Sequence, residues 1–417
     1  VIQDIPNFDV TDSATNAARM MTIARPLDDG CVLSSEDYKA GEMVTWAQVC
    51  LWIVGHSELA KKLLAKIDPH AALACTMLGI DLKDFSKKIL MHANCRQGSK
   101  PWNFSKQGGG GVPTLVFQAR KQGEDTPHPE GPSMVDDGNG NLVPGFKGLR
   151  FCALMRGEYC GGKDGRNKRR TWGKPGRERP ITPMCASCLE LGVEFENGWK
   201  RQWPEQEQYF KYTSGCVDDG MVIEPRFFDL WPWWQEIFEP WQQLDPMQIA
   251  QFYSGRIRKV GASAETPFCV ISNTLFSGLL ADAAKMAHRI CTRECWDRTV
   301  RVPDMLFPNS KRSRYAGLDS PLFDSHISVF QHDELIGEHP RSMGSDGAWR
   351  ISEVMEACLR RVCPDVADAV EVDPTLMDCW QKGAEKVVHD GRLVPWTRSH
   401  DSKKCSECAA EKARSAA

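Results

Sequence analysis

The chain lacks any apolar run that approaches the length of a membrane span. The best, Val44 to Val54, is short and interrupted by Gln48. It lacks a signal peptide, and the expected location is cytoplasmic. Charge of one sign is missing too: 52 Lys and Arg stand against 55 Asp and Glu, a net of −3. Any nucleic-acid surface must therefore be a local patch. No internal repeat is present, which leaves solenoid architectures aside. Cysteine is not scarce, but its count of 17 is odd in a large chain without secretory features. Reduced thiols, with room for one metal site, fit better than a disulfide framework. The 417 residues, 41% hydrophobic, suffice for two or three domains with a sizeable core. The chain opens on Val1 rather than Met, and is expected to be a fragment with sequence missing upstream.

Two acidic words lie about three hundred residues apart: Glu36-Asp37-Tyr38 and Gln331-His332-Asp333-Glu334. Each follows a run that reads as a strand, Gly30 to Ser35 and His326 to Phe330, so each offers an aspartate at a strand tip or turn. Ile327 to Ile336 reads as a hairpin around Asp333. Between the two words the pattern is mostly helical. Glu42 to Lys66 carries apolar residues at helical spacing, broken at Gly55. Further helices are expected over Asp68–Gly79, Leu82–Gln97, Leu115–Gln122, Cys185–Tyr212, Asn273–Trp296 and Ile351–Val362. Arg96, Lys100 and Phe104 are spaced four and four, on one helical face that ends at Gly108 to Gly111. Pro101 within it should kink the helix or mark a local start. Two carboxylates plus a cationic face is what phosphoryl transfer on a nucleotide requires: oxygen ligands for hard divalent metals, and cations aimed at a triphosphate.

With these words in place, the chain resembles a family A DNA polymerase, more closely the bacteriophage members. Asp37-Tyr38-Lys39-Ala40-Gly41-Glu42 is similar to the family's first motif, Asp-Tyr-Ser-Gln-Ile-Glu. Arg96, Lys100, Phe104 and Gly108-Gly109 match the second, with Gly108 where Tyr is usual. His332-Asp333-Glu334 matches the third. The three stand in the family's order. The resemblance implies that Asp37 and Asp333 hold two Mg²⁺ ions, with the Tyr38 carbonyl as a further ligand and Glu334 beside them. It implies that Arg96 and Lys100 grip the triphosphate while Phe104 packs on its sugar or base. The Glu42 match implies a block on the 2′-hydroxyl, hence deoxynucleotide substrates. Asp68-Pro69-His70 resembles the segment whose His touches the triphosphate. Asn273 and Ser277 fall in a helix that, in the family, contacts the minor groove at the primer end; Ser277 is shorter than the Gln it replaces. Gly255-Arg256-Ile257-Arg258 resembles a backbone-contacting turn, and His332 is implied to face DNA. A plain turn bearing surface arginines, and a structural His70, remain open readings.

The fold expected is α+β: a right-hand polymerase palm, a small antiparallel sheet with helices, plus mostly helical fingers, without thumb or exonuclease. Residues 1–42 and 216–398 form the palm and 43–215 the fingers, with a Cys-rich and basic insertion near 147–190 and a flexible tail at 399–417. In that insertion Cys152, Cys160, Cys185 and Cys188 either build a structural Zn²⁺ site or stay free thiols. The basic run from Lys163 to Arg179 either holds phosphates or is a solvated loop. The aromatic stretch Phe227 to Trp241 is read as packing. Expected partners are primer-template DNA, deoxynucleoside triphosphates and separate replication proteins, with no membrane. Two rival readings are a single-subunit RNA polymerase and a non-catalytic zinc-containing nucleic-acid-binding protein.

Overall fold

The computed structural model describes residues 30–121, 134–136, 142–144, 171–172, 179–180, 186–219, 221–222, 248–250, 254, 257–259, 267–300, 313–331, 333–381 and 384–397. The chain divides into two compact units: residues 1–41, 280–362 and 370–417 form one, and 42–279 with 363–369 the other. The first division falls at 41/42. The second falls inside a helix, at 279/280.

The first unit is built on a four-stranded antiparallel sheet. Its strands are β1 (Cys31–Tyr38), β2 (His326–Gln331), β3 (Glu334–Pro340) and β4 (Val372–Met377), in the order β4-β1-β3-β2. The alternation of β1 explains its two faces. Val32, Ser34, Glu36 and Tyr38 point one way, onto the helix Gly344–Val362; Leu33, Ser35 and Asp37 point the other. Val32 and Leu376 share a core cluster with Ala348 of that helix, and the Tyr38 hydroxyl donates to the Met355 carbonyl at 2.9 Å. Gly347 and Gly344 let the helix lie this close. A Cβ on Gly347 would sit 2.4 Å from His339 Nδ1, and one on Gly344 2.5 Å from Val32. His339 is fully buried between Ser34 (2.8 Å) and Ser325 (3.0 Å), and burial lowers its pKa to about 3, so it stays neutral. β4 was not foreseen: Pro374 in its middle reads as a strand breaker, yet β4 is an edge strand, where proline is tolerated.

The second unit is helical. Its helices are α1 (Gly41–Val54), α2 (Glu58–Leu64), α3 (Pro69–Leu78), α4 (Leu90–Ser105), α5 (Val112–Lys121), α6 (Ala186–Gln202) and α7 (Glu205–Asp219). Next in the chain, α8 (Pro267–Glu294) passes from this unit into the first, where α9 (Gly344–Val362) is the helix already described. Gly55, at φ +83°, ends α1 as the sequence indicates. The stretch expected to be one helix over Cys185–Tyr212 breaks at Pro204, which cannot continue α6. Leu82–Asp84 forms only a short 3₁₀ turn, so α4 begins later than expected, and it runs through Pro101 to Ser105. The core is made of indoles: Trp46, Trp102, Trp199 and Trp203 are fully buried. Trp102 stacks on Phe195 at 5.7 Å, and Trp46 meets Trp199 at 5.8 Å.

The aromatic stretch at 227–241, the basic run at 163–179 apart from 171–172 and 179, the tail at 399–417 and residues Cys152, Cys160, Cys185, Arg256 and His332 lie outside the described residues. Cys188 falls in α6 and Arg258 in a short strand, Ile257–Lys259. Among the described residues, no helix is long and apolar enough to cross a membrane.

Candidate active site

One end of the sheet gathers acids. Strand register sets Asp37 opposite Glu334 on β3 and opposite Asp373 on β4, so the three side chains rise from the same face. Asp333 occupies the β2–β3 turn, one residue before Glu334. Asp37, Asp333 and Glu334 are the acids singled out from the sequence; Asp373 is not among them, because no motif surrounds it. Two neighbours hold the Glu334 carboxylate: Ser35 Oγ donates to Oε1 at 2.5 Å and the Trp380 indole at 3.2 Å. Lys39 pairs with Asp373 (3.0 Å) and with Glu371 (3.3 Å), which partly offsets the negative charge.

Like charges directly across a sheet are unfavourable. The surrounding protein, then the charges of Asp333, Glu334 and Asp373, raise the Asp37 carboxyl from 3.8 to about 7. Its side chain is nonetheless exposed, so the mutual repulsion is the firmer cause. Behind it Glu36 is fully buried, and among the described residues neither carboxylate oxygen finds a hydrogen-bond partner. Burial first, and the Glu334 charge as well, push its pKa well above the usual range and keep it neutral.

Among the described residues, no group of three or more His, Cys, Asp or Glu is disposed to hold a metal ion. The acidic row still fits magnesium in kind. Its donors are hard oxygens, and Mg²⁺ is commonly held by one or two carboxylates with water and substrate phosphates in the remaining positions. A divalent cation would also relieve the repulsion that raises Asp37.

The second unit has its own polar cluster. Asp68 caps α3, accepting from the backbone N–H of His70 (2.9 Å) and Ala71 (3.2 Å), while its other oxygen takes the Arg96 guanidinium at 2.6 Å. That ion pair, unforeseen from the sequence, holds Arg96 beside Lys100 and keeps Asp68 below the usual carboxylate range. Lys100 has no ion-pair partner among the described residues; burial first, then repulsion from Arg96, lower its pKa. Phe104 is half exposed and lies edge-on to the His70 ring, centroids 5.0 Å apart. His70, Arg96, Lys100 and Phe104 thus share one surface.

His70 is buried and its pKa falls to about 4, through desolvation and then the two cations, against the pull of Asp68. Its tautomer follows from its neighbours. The Trp203 indole can only donate, and it reaches Asn103 Oδ1 at 3.0 Å. The Asn103 amide nitrogen therefore faces the Pro69 carbonyl and His70 Nδ1, both at 3.1 Å. Nδ1 accepts, so the neutral ring carries its proton on Nε2. Asn103 was not singled out from the sequence, although it sits beside Phe104 in the second motif.

Glu42 stands in the first turn of α1. On α8, Asn273 is exposed, and Ser277 Oγ donates to Asn273 Oδ1 at 3.3 Å, leaving the amide N–H groups to point outward as donors. A Cβ on Gly108 would lie 3.0 Å from Asn273 Oδ1, so the glycine at this position admits Asn273.

No family model matches the chain. No curated protein matches it either. Among solved structures it is similar to the POL domain of Pol1 from M. smegmatis in complex with DNA primer-template and dNTP, with a TM-score of 0.47 and 13% identity. That match covers 90% of this chain and 44% of the other, so this chain spans less than half the length of the chain it matches.

Proposed function

We propose that this chain is the palm-and-fingers part of a template-directed DNA polymerase of the family A type, close to the bacteriophage members, acting in the cytoplasm of the host cell in replication. The observation that carries the reading is the meeting of Asp37 with Asp333 and Glu334 at one end of the sheet, from motifs about three hundred residues apart in the chain. Random surface acids have no reason to be brought into this repulsive row.

In the reaction, the primer 3′-oxygen forms a bond to the α-phosphorus of a deoxynucleoside triphosphate, and the bond from that phosphorus to the pyrophosphate oxygen breaks. Asp37 and Asp333, with the Tyr38 carbonyl, would hold two Mg²⁺ ions, which when bound favour the 3′-alkoxide and offset charge on the leaving pyrophosphate. Asp37 must be deprotonated to act as a ligand, so its raised pKa ties binding to pH. Ser35 and Trp380 keep Glu334 oriented toward the site. Arg96 and Lys100 supply cations for the triphosphate, and His70, neutral with Nε2–H, donates a hydrogen bond to it without adding charge. Phe104 offers a flat surface to the sugar or base. Glu42 would exclude a 2′-hydroxyl. Asn273 would donate to minor-groove acceptors, which look alike in A·T and T·A pairs and so report pair shape rather than sequence. Arg256, Arg258 and His332 are assigned to the nucleic-acid backbone and primer end. Catalysis would rest mainly on positioning and electrostatics.

Primer extension by the Asp333→Asn variant tests the reading. Extension should be abolished while duplex binding persists; near-normal extension would refute it. Deoxynucleotides should be incorporated in preference to ribonucleotides, and the reverse preference would favour the RNA polymerase reading.

A further inference from the structure

The last turns of α8 carry two neighbouring ridges in the first unit. Lys285, Arg289 and Arg293 recur every four residues, all exposed. None has an ion-pair partner among the described residues, although Glu294, the next residue, is buried and engaged with Arg350 at 2.6 Å. The adjacent ridge carries His288, and Trp296 stands in the turn just past the end of α8. Trp296 is 75% exposed, far more than a large indole ordinarily tolerates without a role, and its ring meets His326 at 6.1 Å. His288 stacks on Phe330 at 5.2 Å with 16° between planes. His326 and Phe330 lie on the exposed side of edge strand β2. The result is a cationic row flanked by accessible rings.

We propose that this surface binds single-stranded nucleic acid, separately from the acidic row. The cations repeat about every 6 Å along the helix axis, a spacing suited to successive phosphates of a strand. Rings beside a cationic track are the pairing by which proteins hold unpaired strands: the cations follow the backbone, and any base can stack on an aromatic face. A duplex, with its bases enclosed, would leave Trp296 unused. The proposal rests on the polymerase reading only for its biological sense, as a track for unpaired template; the binding itself does not depend on catalysis.

The test measures the affinity of a fluorescein-labelled oligo(dT) 20-mer across a salt series. It compares the wild-type chain, a Lys285→Gln/Arg289→Gln/Arg293→Gln variant and Trp296→Ala. The triple variant should bind at least about tenfold more weakly, with a salt slope smaller by about 2, since each single-strand phosphate contact contributes roughly 0.7. Trp296→Ala should weaken binding about fivefold or more at an unchanged salt slope, as loss of one stacking contact requires. Unchanged affinity and slope in the triple variant overturn the proposal. So does equal wild-type affinity for an acidic peptide of matched charge, or for a blunt duplex. Both variants should still extend a primer over a one-nucleotide template overhang. Failure of every form, wild type included, to extend a primer would count against the polymerase reading and leave the binding result standing.

Discussion

Replacing Asp37 with Asn should make the protein more stable at neutral and alkaline pH, while removing the activity proposed for it. Asp37 faces three acids, and its carboxyl is raised from 3.8 to about 7. A group whose pKa is higher in the folded state gives its full stabilisation below its unfolded pKa and loses it as pH rises through the folded value. Above about pH 7 the wild type therefore holds an ionised carboxylate against repulsion, whereas Asn holds none. Three pH units correspond to about 4 kcal/mol as a ceiling. The side chain is exposed and solvent screens it, which reduces the expected gain to about 1 kcal/mol. Urea unfolding, in a chelating buffer, should show the Asn variant more stable by that amount at pH 8 and no different near pH 3, where both side chains are neutral. Magnesium should then reverse the order. At ten times its dissociation constant, a ligand specific to the native state adds about 1.4 kcal/mol, and the wild type should gain more of this than the variant. A variant less stable than wild type at pH 8 in chelator, or a difference that does not change with pH, would refute the account of the acidic row.

Asn103→Leu removes the partner of Trp203 Nε1, His70 Nδ1 and the Pro69 carbonyl together. With two or three buried groups left unpaired, it should cost about 2–4 kcal/mol in denaturant unfolding; a loss under about 0.5 kcal/mol would contradict the network. Gly347→Ala gains helix propensity but drives a methyl to 2.4 Å from His339 Nδ1. Overpacking should win by about 1–3 kcal/mol, read as a lowered thermal midpoint. Glu36→Gln substitutes a neutral isostere for a carboxyl that burial holds protonated. Wild-type stability should fall as pH rises through that raised pKa while the variant stays level, as thermal midpoints over a pH series would show.

The parts legible in the sequence are those with a local cause. Asp37 ends a run that alternates as a half-buried strand, and Asp333 sits where two such runs meet, so the hairpin was visible. The four-residue spacing of Arg96, Lys100 and Phe104 fixes one face of α4 whatever surrounds it. Pro204 splits a helix that periodicity alone had joined, because the same apolar spacing continues on both sides of it. Pro374 concealed a strand, since only its place at the sheet edge makes the missing N–H harmless.

By itself the sequence determined which side chains can ligate, clamp or donate, and on which strand end or helix face each stands, because helical and strand periodicities are local properties of the chain. Only the tertiary structure decided the company they keep. Strand register set Asp373 and Glu334 opposite Asp37 and so raised its pKa; the capping of α3 by Asp68 drew in Arg96; and an indole donor on α6's far side of the sequence, Trp203, fixed the His70 tautomer through Asn103. Charge repulsion and hydrogen-bond complementarity act across space at a few ångströms, between residues whose separation along the chain carries no record of their meeting.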